Sequence, residues 1–435
     1  MMRQGRAPFA TAQTRIYVLD SPTIPPPRSG TRLWTAALAL TCVFVATLPF
    51  HNLHALRTTA LGLTALLTLV LAGWRELILL PFKTAWWAWI IVAAISVAFA
   101  HDRHASLSAF RYEVLYTFGA WATCYTQAHR HNGARWLGRT LTGSTLVALA
   151  LGIALLAPGQ AWFDLGRFGN VGTLSTFLVM VLPVFLLYAL RSRPRSAARI
   201  GMLLLAAACV GAGTLTLNRT FALAAAAVIT IFALFSMRYW NSRFRIASMF
   251  TVGALVIVLA GFEVLTTSES RIALDAPGKD VWEFLSGDPR GDIWRFAAAR
   301  VAEHPWVGAG LGKWTSREVF LAHFNDPMLV HGHNAFLNRA LETGLPGLAA
   351  FVALIASVAV AFWRVARSGD HDTAAIGAAG LALVAGTVVK NLTDDYFVQE
   401  NALLFWSLAG AGLGAAAARA EALPAPPTTR SAFSA

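Results

Sequence analysis

Apolar runs of about 20 residues recur along the whole chain, and this is the length that an α-helix needs to cross a hydrocarbon core of about 30 Å. Soluble domains carry about 25% charged residues, whereas 13% of this chain is charged and 56% is hydrophobic. The alternating ten-residue segments of a membrane β-barrel do not occur. The sequence therefore predicts an all-α, polytopic membrane protein.

The hydropathy pattern predicts about twelve transmembrane helices. Their approximate ranges are 33–50, 57–73, 84–100, 107–127, 137–156, 171–190, 200–216, 220–237, 247–265, 346–366, 374–390 and 401–418. The chain thus divides into a disordered tail (1–32), spans one to nine (33–265), a large polar loop (266–345), spans ten to twelve (346–418) and a second tail (419–435). An even number of spans places both tails on one side of the membrane.

The net charge of +13 invites comparison with nucleic-acid-binding proteins, but the distribution of arginines gives another explanation. Arginines crowd the loops at 130–139, 191–199 and 238–245, all on the side of the N-terminus. By the positive-inside rule that side is the cytoplasm. The positive charge is therefore topogenic, and no nucleic-acid partner is predicted. The 266–345 loop is expected outside the cytoplasm, which is the periplasm if the cell is Gram-negative.

Three further groups of residues receive structural interpretations. The tryptophans at 86, 87 and 89 indicate a belt at the membrane interface. Residues 394–396, Asp-Asp-Tyr, are interpreted as a solvated loop, although they could contact sugars. Few charges fall in the middle of a span, and Glu113, near a span end, is one of the nearest candidates.

The end of the polar loop predicts a short helix that begins next to a histidine. Asn334 is a suitable N-cap because its side chain can accept a first-turn N–H. Gly344 is a suitable residue just after the helix, since glycine tolerates positive φ, and Pro346 can open the next helix. The positive end of the helix dipole disfavours a protonated His333, which leaves a neutral imidazole that can accept a proton.

An amphipathic helix is predicted earlier in the same loop, over residues 292–304, because apolar residues recur there at intervals of three and four. Glycines at 308, 310 and 312 predict a flexible turn before Lys313. Residues 308–313 lack the first glycine and the Ser/Thr of a phosphate-binding nucleotide loop, so no nucleotide cofactor is predicted.

Two arginines and a histidine on one face of the membrane suit group transfer from a diphosphate carrier. Arg219 begins an apolar span and Arg290 precedes the loop helix. Arginine forks match phosphate oxygens and keep their charge, and His333 can take a proton from an attacking hydroxyl. His331, His333 and Asp326 lack the spacing of a metal site, so no metal is predicted.

These motifs resemble those of bacterial O-antigen ligases, within the O-antigen ligase/polymerase superfamily of polytopic glycosyltransferases that use lipid-linked sugars. That family has a loop hallmark of His, then Asn, Ser or Gln, nine residues, Gly, two residues, and Gly, Thr or Tyr. The matching residues are His333, Asn334, Gly344 and Gly347. The family's Arg-x-x-x-Leu element and its loop arginine before a tryptophan-bearing helix are matched by Arg219 with Leu223 and by Arg290 with Trp294.

The resemblance implies a GT-C-like fold whose periplasmic loop carries short helices. It also implies a cofactor- and metal-independent, inverting transfer of polysaccharide from undecaprenyl diphosphate to a sugar hydroxyl of lipid A–core at the inner membrane. His333 would be the general base, while Arg219 and Arg290 would bind the diphosphate. His331, Lys313 and Arg167 are additional candidate contacts.

Two other functions stay open at this point. An O-antigen polymerase of the same superfamily would use the same charged groups with a different acceptor. A transporter or lipid flippase, from another functional class, would also fit twelve spans.

Overall fold

The computed structural model describes residues 31–73, 80–130, 133–156, 163–236, 290–326 and 329–422, with isolated positions between 261 and 287. All regular secondary structure in these residues is helical. Eight of their helices are long and apolar enough to cross a membrane. The predicted class, an all-α membrane protein, is therefore confirmed.

The helices follow one another along the chain with short connections. In order they are α1 (Thr31–Ala46), α2 (His54–Ala72), α3 (Lys83–Phe99), α4 (Arg103–Phe110), α5 (Tyr116–His129), α6 (Gly133–Leu155), α7 (Val171–Arg191), α8 (Ala197–Thr214), α9 (Arg219–Ser236), α10 (Arg290–Glu303), α11 (Arg317–Phe324), α12 (Ala335–Ala366), α13 (His371–Asn391) and α14 (Gln399–Ala422). A π-helical segment, Arg111–Leu115, joins α4 to α5, and 3-10 turns lie at His51–Leu53 and Gly166–Phe168.

The eight candidate spans are α2 with its preceding turn, α6, α7, α8, α9, α12, α13 and α14. Helices α1 and α3 are apolar but shorter. The predicted ninth span, 247–265, and both predicted tails lie almost wholly outside the described residues. The count of twelve spans stays a prediction.

The loops that carry the functional-site residues lie at one end of the bundle. Phe163 N–H donates to Leu215 O (2.7 Å), and Ala335 N–H donates to Asp394 O (3.1 Å). The two 3-10 turns contact each other at this end. Helices α2, α7, α9, α12 and α14 therefore begin here, and α8 and α13 end here. We call this the site end.

Two of the tryptophans assigned to an interface belt are core residues. Trp86 is 1% exposed and Trp89 is 2% exposed, whereas Trp87 is 60% exposed. Trp86 packs against Trp406 with a centroid distance of 4.5 Å, and Trp89 packs against Phe351 at 5.4 Å. The prediction is wrong for Trp86 and Trp89 because three-residue spacing puts both on the inward face of α3.

Helix α12 consists of two helical segments divided at Gly344, whose φ is 69° and ψ is −178°. The first segment, residues 335–343, is the predicted short helix. Asn334 Oδ1 accepts from Phe336 N (2.9 Å) and from Leu337 N (3.0 Å), so the predicted N-cap is confirmed. The positive φ of Gly344 is confirmed as well, although its ψ is extended rather than left-handed helical.

The glycine-rich turn at 308–310 packs against the end of this short helix. Ala309 N–H donates to Leu341 O (2.8 Å), and Gly310 N–H donates to Glu342 O (3.0 Å). These bonds satisfy carbonyls that the interruption of α12 leaves without helical partners. A Cβ at Gly308 would lie 2.5 Å from Glu342 O. The predicted flexible turn is instead a closely packed one.

The predicted amphipathic helix is α10, and its apolar face lies on the short helix. Ile293 and Ala297 are 0% exposed and form a small core with Phe320 of α11 and Leu341 of α12. The loop before His333 is therefore attached to the bundle through the same short helix that follows His333.

Substitution of Gly344 by alanine tests the interruption of α12. The new Cβ would lie 2.6 Å from the Trp306 carbonyl carbon, in a backbone conformation that alanine rarely adopts. Such strain costs about 1–3 kcal/mol, so we expect Gly344→Ala to lower the thermal unfolding temperature in detergent. Gly143→Ala on α6 is the matched control, because its Cβ would meet nothing within 4 Å. Equal unfolding temperatures for the two variants would contradict this account.

Candidate functional site

His333 occupies a strained turn immediately before the N-cap of the short helix. Its φ of 44° is in the left-handed region, which costs a non-glycine residue about 1–3 kcal/mol and is often associated with functional sites. Its backbone N–H donates to His331 Nδ1 at 3.1 Å, and the two rings lie 4.1 Å apart. His331 thus supports both the backbone and the ring of His333.

The His331 imidazole, which supports His333, is uncharged. His331 is 8% exposed, and burial, followed by the positive charge of Lys313, lowers the pKa of His331 to about 2. Because Nδ1 accepts a hydrogen bond, the single proton of the neutral ring is on Nε2. The nearest ring neighbour of His333 therefore carries no charge at neutral pH.

The segment after α13 is bound tightly to the short helix. Asn334 Nδ2 donates to Leu392 O at 2.8 Å, and Asn338 Nδ2 donates to Asp395 Oδ2 at 2.5 Å. Asn338 Oδ1 in turn accepts from Gly332 N at 2.8 Å. Asp395 is 2% exposed. The interpretation of 394–396 as a solvated loop is wrong for Asp395, because its carboxylate serves as a buried acceptor.

A buried arginine connects the short helix to the π-helical segment. Arg339, 3% exposed, pairs with Glu113 through Nη2 and Oε2 at 2.5 Å and with Glu342 through Nη1 and Oε2 at 2.5 Å. Its guanidinium carbon is 5.8 Å from the Trp89 ring centroid. Arg339 and Glu342 were not predicted from the sequence because they lie in the nine-residue spacer of the hallmark. Their i,i+3 spacing on a predicted helix was the available signal.

Two lysines meet around the Tyr396 ring. The Lys313 ammonium is 5.7 Å and the Lys390 ammonium 5.0 Å from the ring centroid. Lys313 also donates to Asp395 O at 3.3 Å. Lys390 is fully buried, and its ammonium lies 3.5 Å from Asp394 Oδ2. Lys390 was not predicted as a site residue, since a lysine at a predicted span end is usually a solvated charge.

The two predicted arginines lie at the same end of the bundle. Arg290 is the first residue of α10, and its positive charge acts on Lys390. Arg219 is the first residue of α9. A Cβ at Gly386 of α13 would overlap the Val228 side chain of α9. Because α9 begins and α13 ends at the site end, this contact places Arg219 and Lys390 in neighbouring helix ends.

The remaining predicted residues have varied environments. Leu223 is 50% exposed and lies outside the core. Trp294 is half-buried against the small core of α10 and α11. Gly347 allows close approach of Thr343 across the interruption of α12. Arg167 is exposed in the Gly166–Phe168 turn, with its guanidinium 5.0 Å from the Phe168 ring centroid. The contacts of Arg167 do not connect it to His333.

Comparison with known proteins adds one decisive finding. Residues 204–352 match the family model described as O-antigen ligase. This stretch is similar to the O-antigen ligase family. It contains both predicted arginines and the complete His333 hallmark, although it covers about a third of the chain. No curated protein matches the chain.

This match supports a glycosyltransferase-like membrane enzyme of O-antigen assembly. The matched stretch runs from α8 through the loop helices into α12. The close packing of α10, the glycine turn and the short helix therefore belongs to the family region itself. Lys390 and residues 394–396 lie beyond it.

The neutral state of His331 has a measurable consequence for stability. The unfolded chain takes up a proton on this residue below about pH 6.5, whereas the folded protein keeps it neutral down to a pKa of about 2. The folded state is therefore most stable, as far as this residue is concerned, above about pH 6.5. Lowering the pH to about 5 reduces the free energy of unfolding by about 2 kcal/mol through this residue.

We expect His331→Asn, whose side-chain oxygen can replace Nδ1 as an acceptor, to lose less stability than the wild type between about pH 7.5 and about pH 5. Thermal unfolding in detergent at both pH values measures this difference. His104→Asn, at an exposed position, is the control. An unchanged pH dependence in His331→Asn would contradict the assignment.

Proposed function

We propose that this protein is an O-antigen ligase of the bacterial inner membrane. It would transfer polysaccharide from undecaprenyl diphosphate to a sugar hydroxyl of lipid A–core, with inversion and without a metal. The observation that supports this most strongly is the combination, at one end of the bundle, of a supported His333 turn with several positive side chains inside the family-matched stretch.

His333 is the proposed general base. The acceptor hydroxyl oxygen attacks the anomeric carbon of the donor and gives its proton to His333. The bond between the anomeric carbon and the phosphate oxygen breaks, and its electron pair leaves with the diphosphate. A single displacement of this kind inverts the anomeric configuration. General-base action of this type contributes about 10²–10⁴ in rate.

Arg219 and Arg290 are the proposed ligands of the diphosphate. Their forked guanidinium groups match phosphate oxygens and stay charged at any physiological pH. Positive groups already in position where negative charge develops lower the barrier, and loss of one such group costs about 10²–10³ in rate. The shared position of α9 and α10 at the site end supports this role.

The orientation of the bundle supports a periplasmic reaction. Helix α7 begins at the site end and finishes at Arg191, so the loop that carries Arg193 and Arg195 and the start of α8 with Arg199 lie at the opposite end. By the positive-inside rule the arginine-rich end faces the cytoplasm. The site end would then face the periplasm, and both termini would be cytoplasmic.

The location of buried charge argues against a transport pathway. Among the described residues, the buried charged side chains at positions 57, 339, 342, 390, 395 and 400 all lie at the site end. A carrier pathway would be expected to place charged groups along the depth of the bundle. Movement of intact donor in liposomes without glycan transfer would favour a flippase instead.

Transfer in proteoliposomes tests the proposed reaction. With undecaprenyl-diphosphate-linked polysaccharide and lipid A–core present, we expect His333→Ala to reduce transfer about 10²–10⁴-fold. Arg219→Ala and Arg290→Ala should each reduce it about 10²–10³-fold. Arg295→Ala is the matched control, because Arg295 is an exposed arginine of the same helix as Arg290. Wild-type transfer by a well-folded His333→Ala protein would overturn the assignment.

An O-antigen polymerase is the second candidate, because the same base and cations would serve an acceptor that is itself linked to undecaprenyl diphosphate. A deletion strain separates the two. We expect loss of a ligase to leave long lipid-linked polymer in the inner membrane and core without O-antigen. Single repeats attached to core would instead identify a polymerase.

A further inference from the structure

The ammonium group of Lys390 is buried, and few polar partners compensate its charge. Lys390 lies in the last turn of α13 and is 0% exposed. An ammonium group has three donors, and the hydrogen bonding found among the described residues is one contact of 3.5 Å to Asp394 Oδ2. Charge-assisted bonds are usually about 2.7–2.9 Å long. A charge buried in this way is costly unless further partners are supplied.

Two other positive side chains lie in the surroundings of the Lys390 ammonium group. Lys313 shares the Tyr396 ring with Lys390, and the charge of Arg290 acts on Lys390. Like charges in a poorly solvated region repel one another. Asp394 is the carboxylate that pairs with Lys390, whereas Asp395 binds Asn338. Lys390, buried beside a second ammonium group and with one carboxylate oxygen 3.5 Å away, would be better compensated by an anion with several acceptor oxygens.

Lys390 is also well placed relative to the two proposed diphosphate ligands. The contact of Gly386 with Val228 puts the end of α13 beside the beginning of α9, which carries Arg219. Arg290 begins α10, which packs on the short helix at the same end of the bundle. Lys390 therefore lies in the same part of the site end as two arginines that are far apart in the sequence.

We propose that Lys390 is a third cation of the donor diphosphate site and that Asp394 occupies its ammonium group until the donor arrives. This inference rests on the proposed function, since it assumes a diphosphate between Arg219 and Arg290. Phosphate oxygens and the Asp394 carboxylate compete for one ammonium group. Removal of the lysine and removal of the carboxylate must then change donor affinity in opposite directions.

Binding of undecaprenyl diphosphate to the full-length protein in nanodiscs tests this proposal. We expect Lys390→Met to weaken binding of undecaprenyl diphosphate about 10- to 100-fold, because it removes hydrogen bonds from a charged group to the phosphate oxygens. Asp394→Asn removes the competitor and should strengthen binding by about threefold or more. Lys83→Met, at an exposed lysine at the start of α3, is the control and should leave binding unchanged.

The double variant Lys390→Met/Asp394→Asn distinguishes a ligand from a structural ion pair. If Lys390 only neutralises Asp394, the double variant binds undecaprenyl diphosphate as well as the wild type does, and the proposal is overturned. If Lys390 contacts the diphosphate, the double variant stays weak. Thermal unfolding of each variant confirms that it is folded before binding is compared.

The outcome also separates this inference from the proposed function. If Arg219→Ala and Arg290→Ala weaken binding while Lys390→Met does not, the diphosphate site stands and the role of Lys390 fails. If the wild type does not bind undecaprenyl diphosphate, both fail.

Discussion

The buried guanidinium of Arg339 is the interaction on which the site depends. It joins Glu342, on the short helix that follows His333, to Glu113, on the π-helical segment between α4 and α5. Removal of one partner from a buried ion pair costs about 3–5 kcal/mol, although the intact pair adds little net stability. The Arg339 guanidinium therefore serves mainly to position the short helix rather than to add stability. It fixes the short helix against the bundle, and π-helical segments often occur where function imposes such a constraint.

The interruption of α12 at Gly344 completes that arrangement. The short helix ends there, and its last carbonyls accept hydrogen bonds from residues 309 and 310 and from the Ser96 hydroxyl at 2.6 Å. A continuous helix would satisfy those carbonyls internally and would leave the glycine turn without partners. The glycines of the hallmark therefore shape the site, whereas His333 and Asn334 stand at the end of the helix where chemistry can occur. The nine residues between Asn334 and Gly344 in the hallmark are the short helix itself.

Features governed by neighbouring residues could be predicted from the sequence. The N-cap at Asn334, the positive φ at Gly344 and the amphipathic α10 each depend on a few adjacent positions. The pairing of Glu113 with Arg339 and the burial of Trp89 depend on which face of a helix meets a distant neighbour. In a membrane bundle both lipid-facing and core-facing surfaces are apolar, so hydropathy alone does not distinguish them. Lys390 was missed for another reason, because a lysine at a predicted span end is usually a solvated charge.

The positive groups of the site end and the proposed base are held by different means, and this difference matters for proton transfer. Lys313 and Lys390 are held by Tyr396 and by the carbonyl and carboxylate groups of residues 394 and 395. His333 is held by a neutral ring, a backbone hydrogen bond and the N-cap beside it. A charged histidine at position 331 would oppose proton uptake by a ring 4.1 Å away. Because burial keeps His331 neutral, this support of His333 restricts its position without opposing the function as a base that we propose for it.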